Sequence, residues 1–224
     1  MKQFLLPVVC LAFLALCHSV QAQTGQLVEQ DDVQSWNDLQ VTVPLSKKLD
    51  VFGQATFRFG QDISRVNDRR LAFGFVWKPH KLLSVSPFYW NITMRNSRGL
   101  FRQEQRLNLR ITYRFPFKSK IFGLSHRSWI ERRLRQPQDS WRYRPSLTFE
   151  RDIKNIIPAA KLFVTEEVFY DSILKRFSRN RFIVGVTKTL TKQLSLDVYY
   201  MRQNDGFSRP GDLHVIGTSF KVRF

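Results

Sequence analysis

The stretch Phe101–Phe115, FRQEQRLNLRITYRF, decides the fold class. Leu107, Leu109, Ile111, Tyr113 and Phe115 alternate there with Arg102, Glu104, Arg106, Asn108, Arg110, Thr112 and Arg114. A period of two is that of a β-strand, whose successive side chains point to opposite faces. One face of this strand is therefore charged and the other apolar. A soluble periplasmic sandwich or a lipocalin-like barrel would need a polar exterior over an apolar core. Here the Phe, Leu and Val face lacks charge, and the Arg and Glu face cannot be a dry core. The arrangement fits a strand with lipid on one side and a polar lumen on the other.

The same alternation recurs in both directions. From Leu49, the residues Val51, Gly53, Ala55, Phe57 and Phe59 share a face opposite Gln54, Thr56 and Arg58. From Arg69, Leu71, Phe73, Phe75 and Trp77 oppose Arg70, Ala72, Gly74 and Val76. Further runs lie at Ser35–Val43, Leu83–Met94 (blurred around Pro87), Ile121–Leu134, Trp141–Asp152, Lys161–Tyr170, Arg179–Lys188, Leu194–Gln203 and Asp212–Phe224. No helical periodicity appears, so the chain reads as all-β. Segments of about 9–14 residues suit tilted membrane strands.

The connections alternate in character. Those at Pro44–Leu49, Lys78–Leu82, Pro116–Lys120 and Thr189–Gln193 are short. Those around Gly60–Asp68, Asn96–Leu100, Arg135–Ser140, Asp171–Ser178 and Asn204–Gly211 are polar and mostly longer. A meander with one periplasmic and one outer rim gives that pattern. The expected fold is an antiparallel transmembrane β-barrel of about 12 strands, with 10–12 compatible with the spacing. Eleven runs are visible, and bacterial single-chain barrels normally have an even number. Gln23–Gln34 is left to supply a weak twelfth strand or a segment threading the lumen.

The chain ends are equally informative. Lys2, the apolar Phe4–Leu16 and the small-residue site Val20-Gln21-Ala22 read as a secretory signal cleaved after Ala22. The expected organisation is a signal peptide over 1–22, the N-terminal segment 23–34 and a barrel over 35–224. Cys17 would suit a lipoprotein, but Leu16 stands where a small residue is needed. Both cysteines, Cys10 and Cys17, leave with the signal, which excludes disulfides, thiolate metal sites and cysteine nucleophiles. Loss of Lys2 lowers the formal charge from +18 to +17. At the other end Ile216, Phe220, Val222 and Phe224 share a face and an aromatic is last. Phe220, Val222 and Phe224 resemble the C-terminal signal by which the barrel-assembly machinery recognises outer-membrane proteins, and the outer membrane is the expected location.

Beyond the barrel pattern, the mature chain resembles a bacterial outer-membrane family catalogued as domain of unknown function 2490. The likeness runs from Trp36-Asn37-Asp38 to Phe224. It is carried by Glu104 and Arg106, Trp129-Ile130-Glu131-Arg132, Arg142-Tyr143-Arg144, Glu166-Glu167-Val168-Phe169, Asn180-Arg181-Phe182 and Gly185. The resemblance implies a barrel and a compartment and brings no established activity.

Candidate chemistry concentrates in the lumen. Period two turns Glu104, Arg106 and Arg110 inward on one strand, Arg127, Trp129, Glu131 and Arg133 on the next, and Arg142, Arg144 and Glu150 on the third. Buried charges need partners, and guanidinium forks suit carboxylates. This set predicts either a plug of ion pairs or a narrow path whose surplus arginines favour anions. A second candidate is His126-x-Ser128 on the lipid side, the pair used by outer-membrane phospholipases and lipid A deacylases. Trp129 replaces the Asn-Gly of the phospholipase motif, and the strand from Trp141 shows no outward Asn or Glu to orient the histidine. A non-enzyme is therefore expected.

Asn91-Ile92-Thr93 matches a glycosylation acceptor in the wrong context. The acidic residues form no metal-ligand cluster, His80 and His214 have no companions, and no cofactor is implied. The positive charge gathers at Arg95, Arg98, Arg102, Arg133, Arg135, Lys175, Arg176 and Arg179, the expected outer rim. Lipid phosphates are the nearer anions there, which argues against nucleic acid. Trp77 and Trp141 suit opposite interfacial belts, whereas Trp129 turns inward. No residue pattern specifies an oligomeric state.

Overall fold

The structure, a computed structural model, describes residues 31–96, 99–117, 119, 121–208 and 210–224. The expected signal peptide and most of the segment 23–34 lie outside the described residues, as does Arg98. The elements are β1 (Asp32–Pro44), β2 (Leu49–Gly60), β3 (Arg65–His80), β4 (Leu83–Arg95), β5 (Phe101–Arg114), β6 (Phe122–Leu134), β7 (Ser140–Asp152), β8 (Ala160–Asp171), β9 (Arg176–Thr189), β10 (Leu194–Asp205) and β11 (Leu213–Arg223). Each pairs antiparallel with the next, and β11 returns to β1 to close an all-β barrel.

Among the described residues there are eleven strands, and the odd number fixes the closure. Successive strands reverse direction, so first and last must run the same way. β1 and β11 accordingly pair in parallel from Asp32↔Leu213 to Thr42↔Arg223. The strand expected from Ser35 thus begins at Asp32, and 32–34 belong to it. The seam is reinforced from within by Arg223, which donates to both oxygens of Asp50 on β2 at 2.8 and 2.9 Å. Lys78 on β3 also pairs with Asp50.

The two rims have connections of similar length. One is formed by 61–64, 96–100, 135–139, 172–175 and 206–212; the other, where β11 ends, by 45–48, 81–82, 115–121, 153–159 and 190–193. The long–short contrast read from the sequence is therefore a correction. β3 reaches back to Arg65 and β9 to Arg176, absorbing residues that read as loop. In each case one residue bulges out of the ladder: Arg58↔Asp68 is followed by Phe59↔Val66, and Phe169↔Arg179 by Tyr170↔Phe177. A bulge flips the alternation, so the pattern beyond it looks irregular.

Proline leaves its own mark. Pro87 lies within β4, and the β3–β4 pairing lapses between Gly74↔Phe88 and Trp77↔Val85. Pro145 in β7 coincides with a similar gap between Tyr143↔Tyr170 and Ser146↔Glu167. Without an N–H neither residue can donate to the ladder.

The burial pattern inverts that of a soluble barrel. Leu71 is 66 % exposed, Phe73 57 % and Ile216 55 %, while Glu131 is 0 % and Glu167 2 % exposed. Aliphatic and aromatic residues form the outer surface, and charge is enclosed. Part of the lumen is apolar. Phe52, Ala72, Phe88, Trp90, Ile92 and Trp129 form one cluster, with Phe88 edge-on to both Phe52 and Trp90 at 5.8 and 5.4 Å. Trp36, Met201, Leu213 and Val215 form a second. Tyr199 packs against this second cluster, and a Cβ on Gly217 would lie within 2.0–2.5 Å of its ring. Only glycine lets β11 pass that close.

Candidate functional site

The lumen network grows from cross-strand register. β5 and β6 place Arg106 opposite Arg133, a like-charge pair that is unfavourable alone. Glu104 resolves it by accepting from Arg106 Nε at 2.6 Å and from Arg133 Nε and Nη2 at 2.7 and 3.0 Å. One strand on, Glu131 accepts from Arg144 Nη1 at 2.6 Å and lies 3.5 Å from Arg106 Nη1. Arg144 in turn donates through Nη2 to both oxygens of Glu167 on β8, at 3.0 and 2.9 Å. Glu167 also accepts from Arg127 at 2.8 Å and faces Arg181 of β9 at 3.6 Å. Asp171 collects Arg142 at 3.0 Å and Arg133 at 3.7 Å.

Aromatic faces complete this arrangement. The Arg144 guanidinium lies 3.9 Å from the Trp129 ring centroid and 4.5 Å from that of Phe169. Trp129 Nε1 donates to Asn108 Oδ1 at 3.0 Å. The charged network thus rests directly on the apolar cluster, and Trp129 belongs to both.

Glu104, Arg106, Arg127, Glu131, Arg133, Arg142 and Arg144 all enter the network as their alternation predicts. Two residues do not. Arg110 faces inward, but its guanidinium is set against Phe52, Phe88 and Trp129 at 5.2–6.0 Å rather than against a carboxylate. Glu150 opposes Gly123 in the β6–β7 ladder and is exposed, close to the rim where β11 ends. It lies beyond the last arginine of the set.

Reading strand by strand also missed partners. Glu167 joins three arginines, and only its alternation with Thr165 and Phe169 could have marked it. Asp68 with Arg70 on β3, and Asp205 with Arg179, extend the charged belt round the barrel. Arg179 was expected at the rim facing lipid phosphates and instead turns into the lumen. Arg95 hydrogen-bonds Val66 O and Gly99 O.

On the outer face His126 Nε2 and Ser128 Oγ are 3.1 Å apart, so the expected pair is formed. Tyr143 OH lies 3.2 Å from the same Oγ. The acid Glu166 is two strands away, through the register His126↔Leu147↔Glu166. At the strand spacing that is about 10 Å, too far to orient the imidazole. Its amide neighbour is Asn180, at 3.3 Å.

A family model described as "Protein of unknown function (DUF2490)" matches residues 33–213. The chain belongs to this family. No curated protein matches it. Among solved structures, LpxR from Salmonella typhimurium is similar with a TM-score of 0.51 at 7 % identity, covering 78 % of this chain and 83 % of that one. A NanC porin structure gives 0.49 at 12 % identity, over 82 % and 93 % of the two chains. The KdgM porin gives 0.45 at 8 %, over 79 % and 92 %. At such identities the likeness is one of fold.

In this DUF2490 barrel the terminal strand keeps its expected alternation. Phe220 and Val222 stand beside Leu39 and Val41 of β1, and Phe224 N donates to Thr42 O at 3.2 Å. Phe220 and Phe224 are exposed on the outside.

Proposed function

We propose that the protein is a non-enzymatic barrel of the bacterial outer membrane, inserted through its apolar outer face and closed by the arginine–carboxylate network. The apolar exterior supports the membrane reading, since a surface of that kind is unstable in water. Closure rests chiefly on Glu131, which has no solvent exposure and is held between Arg144 and Arg106. A hydrated path would leave the carboxylate in contact with water. The exposed terminal aromatics suit recognition by the assembly machinery, and exposed rim cations such as Arg102 suit lipid phosphates.

Planar-bilayer recording tests closure. The wild-type protein should show no steady conductance. Replacing Trp129 and Arg144 together by alanine removes a buried indole and the guanidinium that bridges Glu131 and Glu167, and should open one. The lumen's arginines outnumber its carboxylates, so that current should favour anions. A steady anion-selective conductance in the wild type would contradict closure and establish a narrow pore.

The hydrogen-bonded His126–Ser128 pair favours a second reading, a lipid hydrolase in which the imidazole activates the hydroxyl. No carboxylate orients His126 among the described residues. Ser128→Ala should therefore leave phospholipid and lipid A acylation unchanged; altered acyl chains on mass spectrometry would favour the hydrolase.

A further inference from the structure

At the rim opposite the end of β11 the lumen opens into a cavity of about 180 Å³ that the network beside it does not fill. Its lining includes four guanidinium groups, those of Arg58, Arg95, Arg179 and Arg181, and one carboxylate, Asp68. The space has room for several waters and so for a tetrahedral oxyanion.

The cations are unevenly compensated. Arg179 is engaged by Asp205, at 2.6 Å through Nε. Arg95 is occupied by two backbone carbonyls. Asp68 is held by Arg70, at 2.8 Å through Nε, and comes only within 3.9 Å of Arg58. Arg58 Nε is buried with no hydrogen-bond partner. The guanidinium lies 3.4 Å from the Trp36 ring centroid, a cation–π contact contributing roughly 0.5–2 kcal/mol. Removing a cation from water costs several kcal/mol, so the ring alone does not offset it. Arg181 donates to the neutral Gln203 at 2.9 Å, and its nearest carboxylate, Glu167, is 3.6 Å away and already bound by Arg144 and Arg127. Two under-compensated arginines from β2 and β9 thus border one space that is open toward the rim. Bidentate guanidinium forks recognise phosphate oxygens well.

We propose that this cavity binds a phosphate group, with Arg58 and Arg181 as its principal ligands and Arg95 and Arg179 as outlying positive charge. The site lies beside the network, toward the same end of the barrel, and operates whether the lumen is closed or conducting. The phosphate is carried either by a free anion or by a lipid headgroup reaching over the rim.

The test uses the full mature protein in nanodiscs and inorganic phosphate as the first probe, followed by phosphorus NMR line broadening and thermal unfolding at constant ionic strength. Phosphate should bind saturably and raise the unfolding temperature, with chloride giving no such rise. Arg58→Gln and Arg181→Gln should each weaken binding at least tenfold, while Lys192→Gln, exposed at the opposite rim, should not. The second arm replaces phosphatidylcholine nanodiscs with ones containing phosphatidic acid. Stabilisation by phosphatidic acid that requires Arg58 and occurs without a response to inorganic phosphate assigns the site to a headgroup. Absence of saturable effects from both probes on the wild type overturns the proposal, even if a variant fails to fold. Equal responses in wild type and Arg58→Gln overturn it as well.

Discussion

Replacing Glu131 by glutamine removes one charge from the centre of the lumen at almost constant shape. The carboxylate accepts from Arg144 at 2.6 Å and lies 3.5 Å from Arg106. A charge pair at about 4 Å and an effective dielectric constant of 20 is worth about 4 kcal/mol before desolvation is subtracted. Breaking a buried pair by deleting one partner typically costs about 3–5 kcal/mol. Both arginines keep another carboxylate, Arg144 through Glu167 and Arg106 through Glu104. The amide oxygen can also still accept a hydrogen bond from Arg144. The loss should therefore fall at the lower end, about 3 kcal/mol. Glu150→Gln is the internal control, since that side chain is exposed; its effect should stay within about 0.5 kcal/mol. The assay is reversible urea unfolding in lipid vesicles, followed by tryptophan fluorescence and by heat-modifiable gel migration. A Glu131→Gln barrel as stable as the wild type would refute the claim that these side chains form a packed, mutually dependent network.

Two further outcomes follow from the terminal strand and its neighbour. Phe224→Asp, or deletion of Phe224, should leave the protein stalled in the periplasm and degraded, as fractionation would show; normal outer-membrane levels would count against assembly through this end. Gly217→Ala should drive a methyl group into the Tyr199 ring and cost about 1–3 kcal/mol. Tyr199→Ala should make the same change nearly free, and purely additive losses would mean that ring and glycine are not in contact.

Much of the barrel was legible because lipid and lumen impose opposite chemistry on alternate residues. Phe101–Phe115 predicts β5 almost to its ends, and Leu49–Phe59 does the same for β2. Legibility failed where one extra residue shifts the phase. Asn67 and Ser178 have no ladder partners, and Arg65–Asn67 and Arg176–Ser178 consequently read as loops. Alternation could place Glu131 and Arg144 in the lumen but could not pair them. Their contact depends on the stagger between β6 and β7, which sets Glu131 directly opposite Arg142 and diagonal to Arg144. Glu167 escaped notice because it adjoins Glu166, and only the phase of β8 separates the lumen acid from the outward one. The rim cavity had no linear signal, since Arg58, Arg95 and Arg181 meet only when the barrel closes.

The inside-out barrel with a sealed, charged lumen is most directly tested by single-tryptophan variants in vesicles. Trp77 and Trp141 are exposed on the outer face, whereas Trp129 is buried against Arg144 in the lumen. Brominated lipid should quench Trp77 and Trp141 and leave Trp129 bright, and aqueous iodide should not reach Trp129 either. Quenching of Trp129 by brominated lipid would contradict the strand register, and quenching by iodide would contradict the seal.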